Sequence, residues 1–371
     1  MTEAYVAYSR PRVKVSVVVP LYNVSEYIGE TVAQFQKQTL EQVEYIFVDD
    51  GSTDQTVAKL REFLASEPRA TLVCQENQGA SAARNHGLRL ASGEYVCFAD
   101  ADDLVADDAL NLMYTAAVAH DADVVTGGTL RFNNARQWRM RSYVAHGIFE
   151  PGTKTLETHP GLMYALGPCA KLFRRELVAG HFFPEDIHVG EDQPFVLALY
   201  ARAKTIYTID AVVYYYRERE SGPESLTQQA LDRPLEALED LYKTVGLVRQ
   251  TLGNTWMFDF YLQRAMSADI WPRLRAAIGS GDSSVQSAVF RSLRAWLNGF
   301  DKDTFGRASD LYFFPLIGSV SFLGHLRRSS FREFMRLERA VLAKMTLRSY
   351  GHLAAMAVTR AADAAGHRLR R

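Results

Sequence analysis

Over its first 130 residues the chain alternates short apolar, β-branched runs with helix-like segments, and several of the runs empty directly into acids. That alternation predicts a parallel, right-handed, doubly wound sheet, because successive strand–helix–strand units pack back onto the sheet in one hand. Residues 13–20 are nearly continuously apolar, as befits a central strand buried on both faces, and Pro20 is expected to end it. Residues 25–38 read as a helix with Ser25 as its cap, 43–48 as a second strand, 55–65 as a helix and 70–74 as a third strand. The fourth, Val96-Cys97-Phe98, runs into Asp100-Ala101-Asp102-Asp103 after the turn Ser92-Gly93-Glu94, and a helix over 106–119 and a strand over 123–127 follow.

Farther along the pattern loosens. Residues 141–149 look strand-like, 167–177 look like a turn feeding a short helix, and Gly190-Glu191-Asp192 opens a helix over 193–203. A last strand over 206–216 delivers Arg217-Glu218-Arg219 and a Ser/Gly/Pro loop at 221–225. Past Leu226 only helical periodicity remains, over 231–251, 256–278, 284–297 and 331–345. The expected division is therefore a catalytic domain over 1–225 and a helical domain over 226–371.

Acids at the carboxyl ends of parallel strands stand where α/β folds bind ligands. An isolated D-x-D is an ordinary solvated turn, but here Asp49-Asp50 closes the second strand just as Asp100 and Asp102 close the fourth. Two carboxylates that close together suit a hard cation, Mg²⁺ or Mn²⁺, completed by phosphate oxygens of a substrate. The small residues from Gly79 to Ala83 let a helix N-terminus approach a ligand, and Arg84 is expected to face outward on its first turns as an anion partner. Neither G-x-G-x-x-G after the first strand nor a P-loop is present, so phosphate handling falls to metal and arginine. Acids at a helix start are favoured by the dipole, so capping alone would account for Glu191 and Asp192.

A net charge of −1 gives no global pull towards nucleic acid. Cys74, Cys97 and Cys169 fit neither a metal-ligand spacing nor a disulfide framework, which points to a reducing compartment. The first dozen residues lack the apolar core of a signal peptide, and no stretch is apolar enough to span a bilayer. A cytoplasmic protein is expected, with peripheral contact at the inner face of the membrane as an option. From Arg327 onward eleven Lys/Arg stand against three acids, a tail suited to anionic lipid or a phosphate-rich polymer; homo-oligomerisation through the helices accounts for the same residues.

Six segments in order resemble the motifs of family 2 glycosyltransferases with the GT-A fold. They are Val15-Ser16-Val17-Val18-Val19-Pro20-Leu21-Tyr22-Asn23, Val48-Asp49-Asp50-Gly51-Ser52-Thr53-Asp54, Gln75-Glu76-Asn77-Gln78-Gly79 with Ala82-Ala83-Arg84-Asn85, Asp100-Ala101-Asp102-Asp103, Lys171-Leu172-Phe173-Arg174-Arg175 and Glu191-Asp192. The resemblance implies a Rossmann-like, mostly parallel sheet flanked by helices, followed here by a C-terminal helical region. It implies an inverting, metal-dependent transferase taking a sugar from a UDP-sugar donor to a glycan or polyol-phosphate acceptor of the bacterial surface, in teichoic acid, capsule or exopolysaccharide synthesis. By position, Pro20, Tyr22 and Asp50 would hold the nucleotide base, Arg84 the donor, Asp100 and Asp102 the ribose and metal-bound diphosphate, and Asp192 would be the catalytic base. Arg217 and Arg219 would close over the diphosphate. Many relatives carry an aromatic residue and Asn before the Lys-Leu pair, where this chain has Cys169-Ala170. A nucleotidyltransferase, or a catalytically inactive sugar-nucleotide or polymer-binding protein, remains an alternative.

Overall fold

A computed structural model describes residues 12–219 and 230–300. The chain divides into two compact units, one holding the residues up to 230 together with 240–253, the other 231–239 and the residues from 254 onward.

The first unit is built on one ten-stranded sheet. Its strands are β1 Val15–Leu21, β2 Val43–Asp49, β3 Ala70–Cys74, β4 Tyr95–Phe98, β5 Leu104–Val105, β6 Val124–Phe132, β7 Gln137–Arg139, β8 Gly152–Lys154, β9 Lys171–Arg174 and β10 Ile206–Arg217. The order is β3-β2-β1-β4-β9-β6-β10-β5, with β7 on β6 and β8 on β10. β3, β2, β1 and β4 are mutually parallel, and β6 and β10 are parallel to each other. β9 runs antiparallel between β4 and β6, which leaves β6 pointing the same way as β4. The carboxyl ends of β1, β2, β4, β6 and β10 therefore share one edge.

The helices of this unit are α1 Ile28–Gln36, α2 Thr56–Leu64, α3 Ala80–Leu90, α4 Ala109–Ala119, the short α5 Arg141–Ala145 and α6 Arg175–Val178, and α7 Asp192–Arg202. Alternation along β1 sends Val15, Val17, Val19 and Leu21 into one core with Phe35, Phe47 and Leu60, while Val18 meets α3 on the other face. Gly87 permits that meeting. A Cβ there would lie 2.4 Å from Val18 Cγ1, so only a glycine lets α3 sit this close to the sheet and carry Arg84 towards the sheet edge.

Several expectations are corrected. Pro20 lies inside β1 rather than ending it. Its nitrogen faces the β4 side, where pairing has already stopped at Val18, so the missing N–H costs no ladder bond. Ser25 does not cap α1; its N–H donates to Asp54, and Tyr27 is the capping residue without a side-chain bond. Residues 141–145 form a helix: Met140 in extended geometry follows the last paired residue of the β6–β7 hairpin, Arg139, and the helix begins directly after it. Residues 171–174 form a strand: Leu172 and Phe173 are wholly buried between β4 and β6, a tertiary setting that a run of charged neighbours conceals.

Helix Pro234–Leu252 contributes to both units. In the second unit, Trp256–Arg264 continues through a π-helical turn, Ala265–Ile270, into Trp271–Gly279, and Asp282 then caps Ser283–Asn298 by accepting from the Ser284 N–H at 2.8 Å. Arg264 and Asp269 pair across the π turn. Residues 1–11, the 221–225 loop, the expected helix at 331–345 and the basic tail lie outside the described residues. Among the described residues no helix is long and apolar enough to cross a membrane.

Candidate active site

The site assembles at the shared carboxyl edge. β4 ends at Phe98 and releases Asp100, Asp102 and Asp103; β10 ends at Arg217 beside them. Arg219 grips Asp102 Oδ2 through Nε and Nη2 at 2.9 and 2.6 Å. Arg217 donates from Nε to the Asp102 carbonyl at 2.7 Å and from Nη2 to Glu30 at 2.6 Å, while its own N–H donates to Asp103 Oδ1 at 2.7 Å. Tyr27 lies under both guanidinium groups, about 5 Å from each.

Three carboxyls in four residues strain one another electrostatically. Burial lifts the Asp103 carboxyl well above its ordinary range, with Asp102 and Asp100 adding to the effect. Burial also raises Asp102, against the pull of Arg219. A divalent cation would relieve this crowding, and two carboxylates with phosphate oxygens make a donor set that fits Mg²⁺ or Mn²⁺. Among the described residues no group of three or more metal-ligating side chains stands preassembled.

Arg84 is buried rather than facing outward, which corrects the sequence expectation. Its Nη2 donates to Asp100 Oδ1 at 2.9 Å and its Nη1 to Glu191 Oε1 at 3.0 Å, with Phe183 packed against the guanidinium at 5.5 Å. Burial opposes its charge, but Asp100 and Glu191 outweigh that and hold its pKa above the usual arginine value. Glu191 is the N-cap residue of α7, yet its side chain makes no cap bond; it serves Arg84 instead. One guanidinium thus ties the D-x-D to the start of α7, where Asp192 is the first helical residue.

The approach to α7 is held on several sides. Asn85 exchanges hydrogen bonds with the Phe183 backbone, Nδ2 to O at 2.9 Å and N–H to Oδ1 at 2.8 Å. Phe183 stacks on Phe195 at 3.8 Å, and Phe98 meets both edge-on. Gly190 takes a positive φ of 80°, and the Thr244 hydroxyl donates to its carbonyl at 3.4 Å.

The segment before β9 closes the remaining side. Gly167 lies near Asp192, since a Cβ there would be 3.9 Å from Oδ2. Lys171, buried, donates to the carbonyls of Gly167 and Cys169 at 2.6 and 3.3 Å, and burial lowers its pKa to about 8. Cys169 Sγ stands 3.7 Å from Asp100 Oδ2, and burial raises its thiol pKa well above the usual value. Ala170 adopts φ 60°, a left-handed conformation in which Asn is ordinarily more at ease than Ala.

The residues expected to hold a base occupy the ends of β1 and β2. Asp50 is buried and accepts from the Gln78 and Gly79 N–H groups and from Gln75 Nε2, all within 2.9 Å, so it shapes the 75–79 loop. Asn23, at φ 51°, accepts from the Thr53 N–H at 2.8 Å and stitches the β1 loop to the β2 loop. Tyr22 beside it is half exposed at 50%, available for stacking, and Pro20 is half-buried beneath. Sequence reasoning did not assign roles to Glu191, Lys171, Glu30 and Tyr214, whose hydroxyl accepts from the Asp100 N–H at 3.0 Å. Glu191 and Lys171 stand in quoted motif segments that could have singled them out, whereas Glu30 and Tyr214 stand in none.

Comparison with known proteins bears on this arrangement. Residues 16–182 match the model of Glycosyl transferase family 2. The chain is 31% identical over 226 residues to the uncharacterized glycosyltransferase EpsJ of Bacillus subtilis, covering 58% of this chain and 63% of that protein. It is 27% identical over 253 residues to the poly(ribitol-phosphate) beta-N-acetylglucosaminyltransferase TarS of Staphylococcus aureus, covering 65% of this chain but 41% of TarS. The matches thus span less than two thirds of these relatives' own length. The crystal structure of S. aureus TarS 1-349 superposes with a TM-score of 0.71 at 21% identity over 88% of this chain and 90% of that one, a likeness of fold.

Proposed function

We propose that this chain, whose residues 16–182 match the model of Glycosyl transferase family 2, moves a sugar from a nucleoside-diphosphate donor, a UDP-sugar, to a hydroxyl of a bacterial surface polymer. The observation that carries the proposal is the Asp100–Arg84–Glu191 link, which ties the D-x-D to the N-terminus of α7 and so to Asp192. TarS, the structural likeness, has been crystallised with UDP-GlcNAc, which supports a UDP-sugar as donor.

In this reading Tyr22 and Pro20 face the base, with Asp50 fixing the loop around it. Asp100 and Asp102 would hold Mg²⁺ or Mn²⁺, which would supply positive charge against the departing diphosphate. Arg219, and Arg217 behind it, leave Asp102 for that diphosphate, a short move for a guanidinium fork already aimed at an oxyanion. Asp192 takes the proton of the acceptor hydroxyl as it attacks the anomeric carbon, the carbon–oxygen bond to diphosphate breaking as the new glycosidic bond forms. One base and no enzyme nucleophile give a single displacement and inversion, by the logic that separates inverting from retaining hydrolases. A helical domain beginning near Leu226 would serve acceptor binding, self-association or contact with the inner membrane face.

UDP titration with and without Mn²⁺ tests this reading. Wild type should bind UDP more tightly with the cation, and Asp102→Asn should lose most of that gain. Equal UDP affinity with and without cation in wild type would overturn the metal role.

A further inference from the structure

The turn that delivers Asp192 is held by a part of the chain that carries none of the six motif segments. Helix Pro234–Leu252 follows all of them in sequence, yet its residues from 240 onward belong to the first unit. Asp240 Oδ2 accepts from the His188 N–H at 2.9 Å, Lys243 Nζ donates to the Asp186 carbonyl at 3.0 Å, and the Thr244 hydroxyl donates to the Gly190 carbonyl at 3.4 Å. Asp240, Lys243 and Thr244 stand at i, i+3 and i+4, so they share one face of the helix. They meet the turn at every second residue, 186, 188 and 190. Thr244 is wholly buried and Leu241 nearly so, and a Cβ on Gly190 would lie 3.2 Å from Leu241 Cδ2 and 3.6 Å from Thr244 Oγ1. Lys243 also pairs with Asp240 at 3.5 Å.

We propose that Asp240 and Thr244, backed by Lys243, are positioning residues: they fix the 186–190 turn and thereby the direction in which Asp192 presents its carboxylate. The inference rests on the transferase reading, in which Asp192 is the base, and adds to it the residues that aim that base. Continuity is the first argument. Gly190 is followed at once by Glu191, which is bonded to Arg84, and by Asp192, the first residue of α7, so a displacement of Gly190 moves both acids. The second is the way the approach is shared between two helices. Asn85 of α3 holds the chain at Phe183 and Glu185, and helix Pro234–Leu252 takes over at Asp186, so the strand of chain leading to Asp192 is clamped along its length. The third is the kind of contact. Apolar packing alone would bury the turn without directing it, whereas hydrogen bonds to backbone groups orient each peptide plane. Gly190, at φ 80° and without a side chain of its own, takes its orientation from such outside contacts.

The test is steady-state kinetics and amide hydrogen exchange on the full chain, for wild type, Asp240→Ala, Thr244→Val and the conservative variants Asp240→Asn and Thr244→Ser. The first two remove the acceptor or the donor, and the conservative pair keeps them. With UDP-sugars, Mn²⁺ and a polyol-phosphate acceptor, Asp240→Ala and Thr244→Val should each lose roughly ten- to hundredfold in kcat, the scale of a reacting group displaced by about 1 Å, while donor KM and UDP affinity stay within a fewfold of wild type. Asp240→Asn and Thr244→Ser should recover most of that kcat. Exchange over residues 186–193 should quicken in Asp240→Ala while the strands β1 to β4 keep their protection. A variant that exchanges faster there yet keeps the wild-type kcat overturns the proposal, as do losses of kcat and UDP affinity in equal measure, or an Asp240→Asn as slow as Asp240→Ala. Exchange decides the anchoring independently of activity. Quickened exchange in a chain whose wild type turns over no donor would sink the transferase reading and leave the anchor assigned, whereas unchanged exchange beside normal turnover would do the reverse.

Discussion

Replacing Arg84 with methionine tests the link on which the site depends. Methionine keeps the buried stem and removes the guanidinium, orphaning Glu191, whose side chain is 14% exposed, and Asp100, at 31%. Breaking a buried ion pair from one side costs about 3–5 kcal/mol because the abandoned charge stays out of water. Glu191 feels most of that; Asp100, nearly a third exposed, regains hydration, so a net loss of about 3 kcal/mol is expected. With a urea m-value of about 3 kcal/mol/M for a unit of this size, the unfolding midpoint should fall by about 1 M. Urea unfolding followed by near-ultraviolet circular dichroism measures it. Adding Glu191→Gln should recover part of the loss, because the orphaned group is then neutral. An Arg84→Met midpoint unmoved from wild type, or a double variant whose loss is the plain sum of the single losses, would refute the coupling.

Two further outcomes follow from the same geometry. Gly87→Ala places a methyl 2.4 Å from Val18 Cγ1 and 3.2 Å from Val48 Cγ2, so it should cost about 1–3 kcal/mol and weaken UDP binding as α3 shifts Arg84, which a thermal melt and a UDP titration will read. Lys171 has a folded pKa of about 8, below its unfolded value, so the unfolded chain binds more protons between pH 8 and about 10.4 and this group's contribution to stability rises with pH across that window. The wild-type stability minus that of Lys171→Met should therefore climb between pH 8 and 10, and a flat difference would contradict the burial of a charged lysine there.

β1, β2 and β4 are legible in the sequence because they are buried along nearly their whole length and so are largely apolar, and because acids follow β2 and β4 at the ligand edge. Ala70–Cys74 and its neighbours fall where periodicity puts them. What escapes is set by tertiary contact. Lys171–Arg174 is a strand only because β4 and β6 flank it, and Arg141–Ala145 is a helix that buries none of its residues, so neither leaves a period to read. The same holds at the site. Asp100, Asp102 and Asp192 announce themselves as acids after apolar runs or at a helix start, whereas the burial of Arg84 depends on Glu191, 107 residues away, and on a glycine that lets α3 close on β1. Ala170 is instructive: a bare methyl residue at φ 60° gives no sequence sign of a left-handed turn.

The account turns on Asp192 as the base. Turnover of a panel of UDP-sugars, with Mn²⁺ or Mg²⁺ and a polyol-phosphate acceptor, should be lost by a factor of at least about 100 in Asp192→Asn while UDP affinity stays within a fewfold of wild type. An Asp192→Asn enzyme that transfers sugar to its acceptor at the wild-type rate would contradict it.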